Sequence, residues 1–179
     1  SLLTLLRGGT LVMAPKFEPE AFLCTLCDQR ITRVGMVPTM MRVLFADPRH
    51  DAAIDGVTRQ GDLRQILIGG ESLGQSLAQT IRRRFTGTDL IDIYGLTETA
   101  APSHTNPPDA PKQQGLGIPF MSTDSPVINP ETLAEVPPGE QGEVATGGPA
   151  VFQGSWQRTA ARPRALIWRH VPRLSHHGC

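Results

Sequence analysis

The chain has no run of about 18 apolar residues, so no segment of it reads as a membrane-spanning helix. Cysteine is scarce, with three in 179 residues, which makes no disulfide framework. Cys24 and Cys27 form a C-x-x-C, a spacing shared by redox pairs and half zinc sites, but no second pair follows and Cys179 stands alone. In a helical stretch they read as small apolar side chains, and a reducing, cytoplasmic setting is expected. Neither sign of charge is in excess: Lys+Arg and Asp+Glu are both 17. That excludes a general nucleic-acid or anionic-membrane binder, which needs a cationic surplus. Tyrosine occurs once, no internal repeat is visible, and no acidic residue follows Glu143. The N-terminus lacks both an initiator Met and a basic region, so it is a poor signal peptide and reads as the interior of a helix.

What is present is the composition of a globular domain, 39% hydrophobic and 19% charged. Leu11-Val12-Met13-Ala14 is a strand candidate. Phe17-Glu18-Pro19-Glu20 then opens a helix, with proline in the first turn and acids at its positive end. Val34 to Val37 is a second strand, followed by a helix from Pro38 and Thr39 carrying Met40, Met41, Val43, Leu44 and Phe45. Gln65 to Ile68 is a third strand, ending in Gly69-Gly70-Glu71. Leu73, Leu77, Ile81 and Phe85 recur every four residues on one helix face. Leu90 to Tyr94 is a fourth strand. This alternation predicts an α/β fold with a mostly parallel sheet and flanking helices.

Ala101 to Pro111 contains four prolines and reads as a loop. Val127-Ile128-Asn129 and Gly142 to Ala145, with the turn Pro137-Pro138-Gly139-Glu140 between them, predict a small β subdomain. His50 and His104 read as loop residues. From Thr159 the texture is Arg-rich without periodicity, and this tail is expected to have no fold of its own.

The densest chemistry lies in Ile93-Tyr94-Gly95-Leu96-Thr97-Glu98-Thr99, where the fourth strand ends. Ligands of parallel α/β sheets bind at the carboxyl ends of strands. Gly69-Gly70-Glu71 and Tyr94-Gly95 both sit at such ends, in strands joined by one helix. An aromatic ring can stack on a base, a hydroxyl can donate to a phosphate, and a carboxylate suits Mg²⁺. Each has an ordinary alternative: Tyr94 as a core side chain, Thr97-Glu98 as a helix cap and first-turn acid, Asp92 as an outward strand residue.

This heptapeptide resembles the signature of the adenylate-forming superfamily, which includes acyl-CoA synthetases, luciferases and peptide-synthetase adenylation domains. Gly69-Gly70-Glu71 resembles its GGE turn, Val37-Pro38-Thr39 its VPT helix start, Gly115 to Pro119 its GxxGxP-type loop, Pro138 to Glu143 its PGExGE hairpin and Gly154-Ser155-Trp156 its GYW. The likeness covers about residues 2 to 158. It implies that Tyr94 stacks on adenine, Asp92 faces the adenine amino group, and the Gly69, Gly70 and Glu71 backbone lies along the other face of the base. Gly95 belongs to the same cofactor-binding set. By the same likeness Thr97 meets the phosphate, and Glu98 holds Mg²⁺, making these two the catalytic pair.

The implied reaction is acid–CoA ligation: ATP and a fatty or other hydrophobic carboxylic acid form an acyl-adenylate, and coenzyme A then displaces AMP. Within the family, the style of Gly117 to Asp124 and of Val136 to Glu143 is nearest to fatty-acyl or medium-chain ligases. The family's upstream phosphate loop, ribose-clamping acid, hinge Arg and Lys-bearing C-terminal domain have no counterpart here. The expectation is therefore a fragment, inactive alone, its natural reading lost near Arg158. Residues 1–100 would be the nucleotide-binding α/β part, 101–158 the loop and β subdomain, and 159–179 an unrelated, disordered tail. The rival readings are a non-catalytic α/β remnant and a piece of a peptide-synthetase adenylation domain.

Overall fold

A computed structural model describes residues 2–100, 102–107 and 115–152. The described residues form two compact units: residues up to 67 with 71–90, and residues 68–70 with those from 91 onward. Gly154-Ser155-Trp156 and the tail from 159 lie outside the described residues.

In the first unit, α1 (Leu2–Leu6) is followed by α2 (Pro19–Asp28). Pro19 supplies the helical φ at the first turn and Glu20 faces the positive dipole end, while Leu23 and Leu26 are buried. Arg30 closes α2 at φ 48°, with its N–H on the Cys27 carbonyl at 3.1 Å and the Ile31 N–H on the Leu26 carbonyl at 3.0 Å. This is the two-bond helix stop usually made with glycine. Then come β1 (Arg33–Met36) and α3 (Pro38–Ala46), which buries Met41 and Leu44. A 3₁₀ turn at Pro48–His50 leads into α4 (Asp51–Gln60), stopped by Gly61 at φ 73°. Next are β2 (Gln65–Ile68), α5 (Gln75–Arg84) and β3 (Asp89–Gly95).

The backbone N–H groups of Arg64 and Gln65 donate to the Thr32 carbonyl, and Asp89 N–H donates to the Arg64 carbonyl. The entries of β1, β2 and β3 therefore lie side by side, and helices join each strand to the next, so all three run the same way. Leu23, Met41, Leu44, Ile54, Ile81 and Phe85 are fully buried. The Phe85 ring lies 6.3 Å from that of Phe45, and the Arg84 guanidinium covers Phe45 and reaches Asp51 at 2.9 Å.

Three expectations need correction in this unit. Leu11–Ala14 forms no strand; Leu11, Val12 and Met13 are exposed and their backbone finds no ladder. Helix α4 was not anticipated, because Ile54 and Val57 are its only buried residues and Gly56 interrupts it, too thin a period to read. His50 is buried in the 3₁₀ turn, with Nδ1 3.0 Å from the Leu44 carbonyl. Cys24 and Cys27 do lie in α2, yet Cys24 is exposed and Cys27 half-buried. Burial, then the neighbouring Asp28 carboxylate, push the Cys27 thiol up, away from the reactive thiolate.

In the second unit, β4 (Pro102–Thr105) pairs antiparallel with β3, Ile93 opposite Thr105 and Tyr94 opposite His104. The register slips between Tyr94 and Gly95. β5 (Ile118–Pro119) pairs antiparallel with β4, and the sheet order is β1-β2-β3-β4-β5. The α/β class holds, with an antiparallel extension on the parallel strands. The stretch expected as a loop thus contains a strand. Pro102 is its first residue, where a missing N–H is tolerated. His104, expected in that loop, is a buried strand residue. The small β part appears as predicted: β6 (Val127–Ile128) and β7 (Glu143–Val144) pair antiparallel, with Ile128 buried. Among the described residues no helix is long and apolar enough to cross a membrane.

Candidate functional site

The site belongs to the second unit and grows out of the end of β3. Side chains alternate along a strand, so Asp92 and Tyr94 share one face. Both are half-buried. Tyr94 packs on His104 with ring centroids 5.7 Å apart and planes at 64°. Burial pushes the Asp92 carboxyl up from the ordinary range. The Asp92 carbonyl accepts the Asn106 N–H at 3.0 Å. The Asn106 side-chain amide donates to the Gly115 carbonyl at 3.3 Å, while its buried Oδ1 finds no acceptor-satisfying donor among the described residues.

After the register slip the chain leaves the sheet into a 3₁₀ turn, Thr97–Thr99. Thr99 is 4% exposed. Its Oγ1 accepts the Leu96 N–H at 3.1 Å and donates to the Leu96 carbonyl at 2.9 Å. The Phe152 N–H donates to the Glu98 carbonyl at 2.7 Å. Ala100 follows at φ 58°, left-handed backbone that costs a non-glycine residue about 1 kcal/mol or more. The turn is therefore pinned from both sides. Its consequence is that Thr97 and Glu98 present exposed side chains with no hydrogen bond or ion pair among the described residues. The helix-cap alternative for Thr97 does not describe this turn, since the capping hydroxyl is that of Thr99.

Gly69 and Gly70 lie in the same unit. A Cβ on Gly69 would stand 2.6 Å from the Ile93 carbonyl oxygen, so only glycine lets the end of β2 approach β3 this closely. Gly70 has φ 87°, which glycine alone adopts freely. Glu71 falls in the first unit, where its carboxylate accepts from the Thr39 hydroxyl and, at 3.2 Å, from Arg42. The Thr39 hydrogen bond, ahead of the Arg42 contact, holds Glu71 below the usual glutamate range. Its carboxylate is thus occupied by α3.

Gly69, Gly70, Asp92, Tyr94, Gly95, Thr97 and Glu98 are therefore brought into one unit, and Glu71 is engaged elsewhere. Sequence reasoning missed Thr99, Phe152, His104 and Asn106. Thr99 had a local signal, three residues after Leu96, which enters the turn it closes. Phe152 had none, because it acts through its backbone across the chain.

No group of three His, Cys, Asp or Glu residues among the described ones is arranged to hold a metal. A lone exposed carboxylate with an adjacent hydroxyl fits Mg²⁺, which is commonly bound through one or two carboxylates plus substrate phosphates. Glu98 is a carboxylate that could hold it, and the Thr97 hydroxyl is free to meet a phosphate beside it.

The model of the family described as AMP-binding enzyme matches residues 1–156. Among curated proteins, feruloyl-CoA synthase from Amycolatopsis sp is 36% identical over 176 residues, 93% of this chain and 33% of its own length. Indoleacetate–CoA ligase from Aromatoleum aromaticum is 30% identical over 160 residues, 89% of this chain and 30% of its own. Among solved structures, the ATP-bound RpMatB-BxBclM chimera B3 is 28% identical with TM-score 0.74, covering 88% of this chain and 30% of that one. The chain spans about a third of the length of these curated relatives.

Proposed function

Because this chain belongs to the AMP-binding enzyme family, we propose that it supplies the adenine- and phosphate-facing part of an ATP-dependent acid–CoA ligase. The observation that carries the reading is the pinned turn after Tyr94, which presents the Thr97 and Glu98 side chains without a hydrogen-bond partner among the described residues. Tyr94 stacks on the adenine, Asp92 meets its amino group, and the Gly69-Gly70 backbone lies along the base, glycine leaving it bare. Thr97 donates to a phosphate oxygen. Glu98 would hold Mg²⁺, which when bound neutralises charge on the phosphates.

The reaction has two halves. A substrate carboxylate attacks the α-phosphorus of ATP, forming the acyl-adenylate and releasing pyrophosphate. The thiol of coenzyme A then attacks the acyl carbonyl and releases AMP. In the first half little covalent work falls to the protein, so orientation and charge placement dominate. The substrate is a hydrophobic carboxylic acid. Relatives named for feruloyl-CoA and indoleacetate broaden this class from fatty acids to aryl acids. The Glu71 carboxylate, tied to Thr39 and Arg42 of α3, takes no part in this reading.

Kinetics of Glu98→Gln and Tyr94→Ala in a complete enzyme carrying this segment test the reading. Glu98→Gln should lower kcat, because its carboxylate serves charge that builds up in phosphoryl transfer. Tyr94→Ala should raise KM for ATP by about 1–3 kcal/mol of lost stacking, with kcat little changed. If Glu98→Gln kept kcat within about twofold of the parent, the role assigned to Glu98 would be wrong.

A further inference from the structure

His104 is a buried side chain of the second unit that this reading leaves unused. It is 4% exposed and stands opposite Tyr94 in the β3–β4 ladder. The two rings meet in a T-shaped contact at 5.7 Å. His104 Nδ1 shares a 2.9 Å hydrogen bond with Ser103 Oγ, which lies 3.4 Å from the Tyr94 carbonyl. The imidazole is thus fixed at one nitrogen while its ring bears on the tyrosine. A planar ring anchored in this way sets the plane of its neighbour, which an aliphatic side chain in the same space does not.

We propose that His104 is a positioning residue for the site: its imidazole holds the Tyr94 ring in the orientation that stacks on a purine base. The inference rests on the reading of Tyr94 as the adenine platform. Stacking costs less when the ring is already held, because no rotamer freedom is lost on binding.

The device carries a pH dependence. Burial pushes His104 below the ordinary histidine range, so the ring is neutral near pH 7. Among the described residues its neighbours on the sheet carry few charges. Asp89, Asp92 and Tyr94 are the titratable groups on β3, of which Asp92 and Tyr94 belong to the second unit; Pro119 is its uncharged register partner on β5, and Ser103 and Thr105 flank it on β4. Protonation in acid places a buried charge against the tyrosine ring and disturbs the contact.

Tyr94 is the sole tyrosine of the chain, so the 179-residue protein labelled with ring-¹³C tyrosine gives one ring signal set. That signal is followed from about pH 7.5 to about pH 5 in the parent, in His104→Phe, in His104→Gln and in Asp92→Asn, with circular dichroism reporting that each is folded. The expected result is one titration in the parent and in Asp92→Asn, with a midpoint below the ordinary histidine value, and none in either His104 variant. AMP is then titrated at both ends of the range. Its Kd should rise by about threefold more on acidification in the parent than in the folded His104 variant.

A Tyr94 signal that does not titrate, that titrates unchanged without His104, or that stops titrating in Asp92→Asn overturns the inference, whether or not AMP binds. Equal acid sensitivity of AMP binding in parent and variant also overturns it. A Tyr94 titration that depends on His104, with no shift on adding millimolar AMP, leaves the ring coupling standing and removes the adenine reading instead.

Discussion

The Phe152 N–H donates to the carbonyl oxygen of Glu98 at 2.7 Å, joining the last described residue to the turn that presents the candidate metal-holding carboxylate. No side chain takes part, so this contact leaves no trace in residue identity. Phe152→Pro removes the donor and should destabilise the protein by about 1–2 kcal/mol. It should also loosen the Thr97–Thr99 turn. Urea unfolding measures the first effect. A variant as stable as the parent would show that the turn does not depend on this bond.

Thr97 and Thr99 differ by two positions and should differ in kind. Thr99→Val strands the Leu96 N–H and should cost about 1–3 kcal/mol of stability. The Thr97 side chain is exposed and makes no hydrogen bond among the described residues, so Thr97→Val should change stability by less than about 0.5 kcal/mol. In a complete enzyme, Thr97→Val should instead weaken ATP turnover. The paired unfolding curves check this, and equal destabilisation by both substitutions would contradict it.

Gly69→Ala and Gly70→Ala should both destabilise, for separate reasons. At Gly69 the new Cβ meets the Ile93 carbonyl at 2.6 Å, and backbone must move, at a cost of about 1–3 kcal/mol. At Gly70 the cost is the left-handed backbone, about 1–2 kcal/mol. Thermal unfolding of the two single variants reads these directly.

Asp92 is held by burial above the ordinary aspartate range. Its folded-state pKa exceeds its unfolded one, so its favourable contribution is complete below the unfolded value and is lost as pH rises through the folded value. Asp92→Asn should therefore stabilise the protein near pH 7, by less than about 1 kcal/mol because the group is only half-buried and solvent screens it. The gain should vanish in acid. His104, pushed down by burial, behaves oppositely: its neutral form stabilises above the ordinary histidine pKa, and that contribution fades as pH falls. Stability profiles of Asp92→Asn and the parent between acid and neutral pH distinguish these trends. A constant difference across the range would show that Asp92 does not titrate as described.

Much of the fold was legible because it is written in local pattern. The strand–helix alternation from Val34 to Tyr94, the glycine pair at the end of β2 and the heptapeptide at the end of β3 are contiguous residues, and each declares its conformation through neighbours a few positions away. Family membership follows from the same contiguous motifs. Tertiary structure decided what depends on distant partners. β4 exists because β3 offers it a ladder, although the proline-rich stretch that holds it reads as a loop. α4 is a helix because Ile54 and Val57 find a core, although its own period is faint. The division of labour between buried Thr99 and exposed Thr97, the engagement of Glu71 by Thr39 and Arg42, and the contact of His104 with Tyr94 all turn on which side chains become buried against which. Burial and long-range pairing are settled only when the whole chain packs, and local spacing carries no record of them.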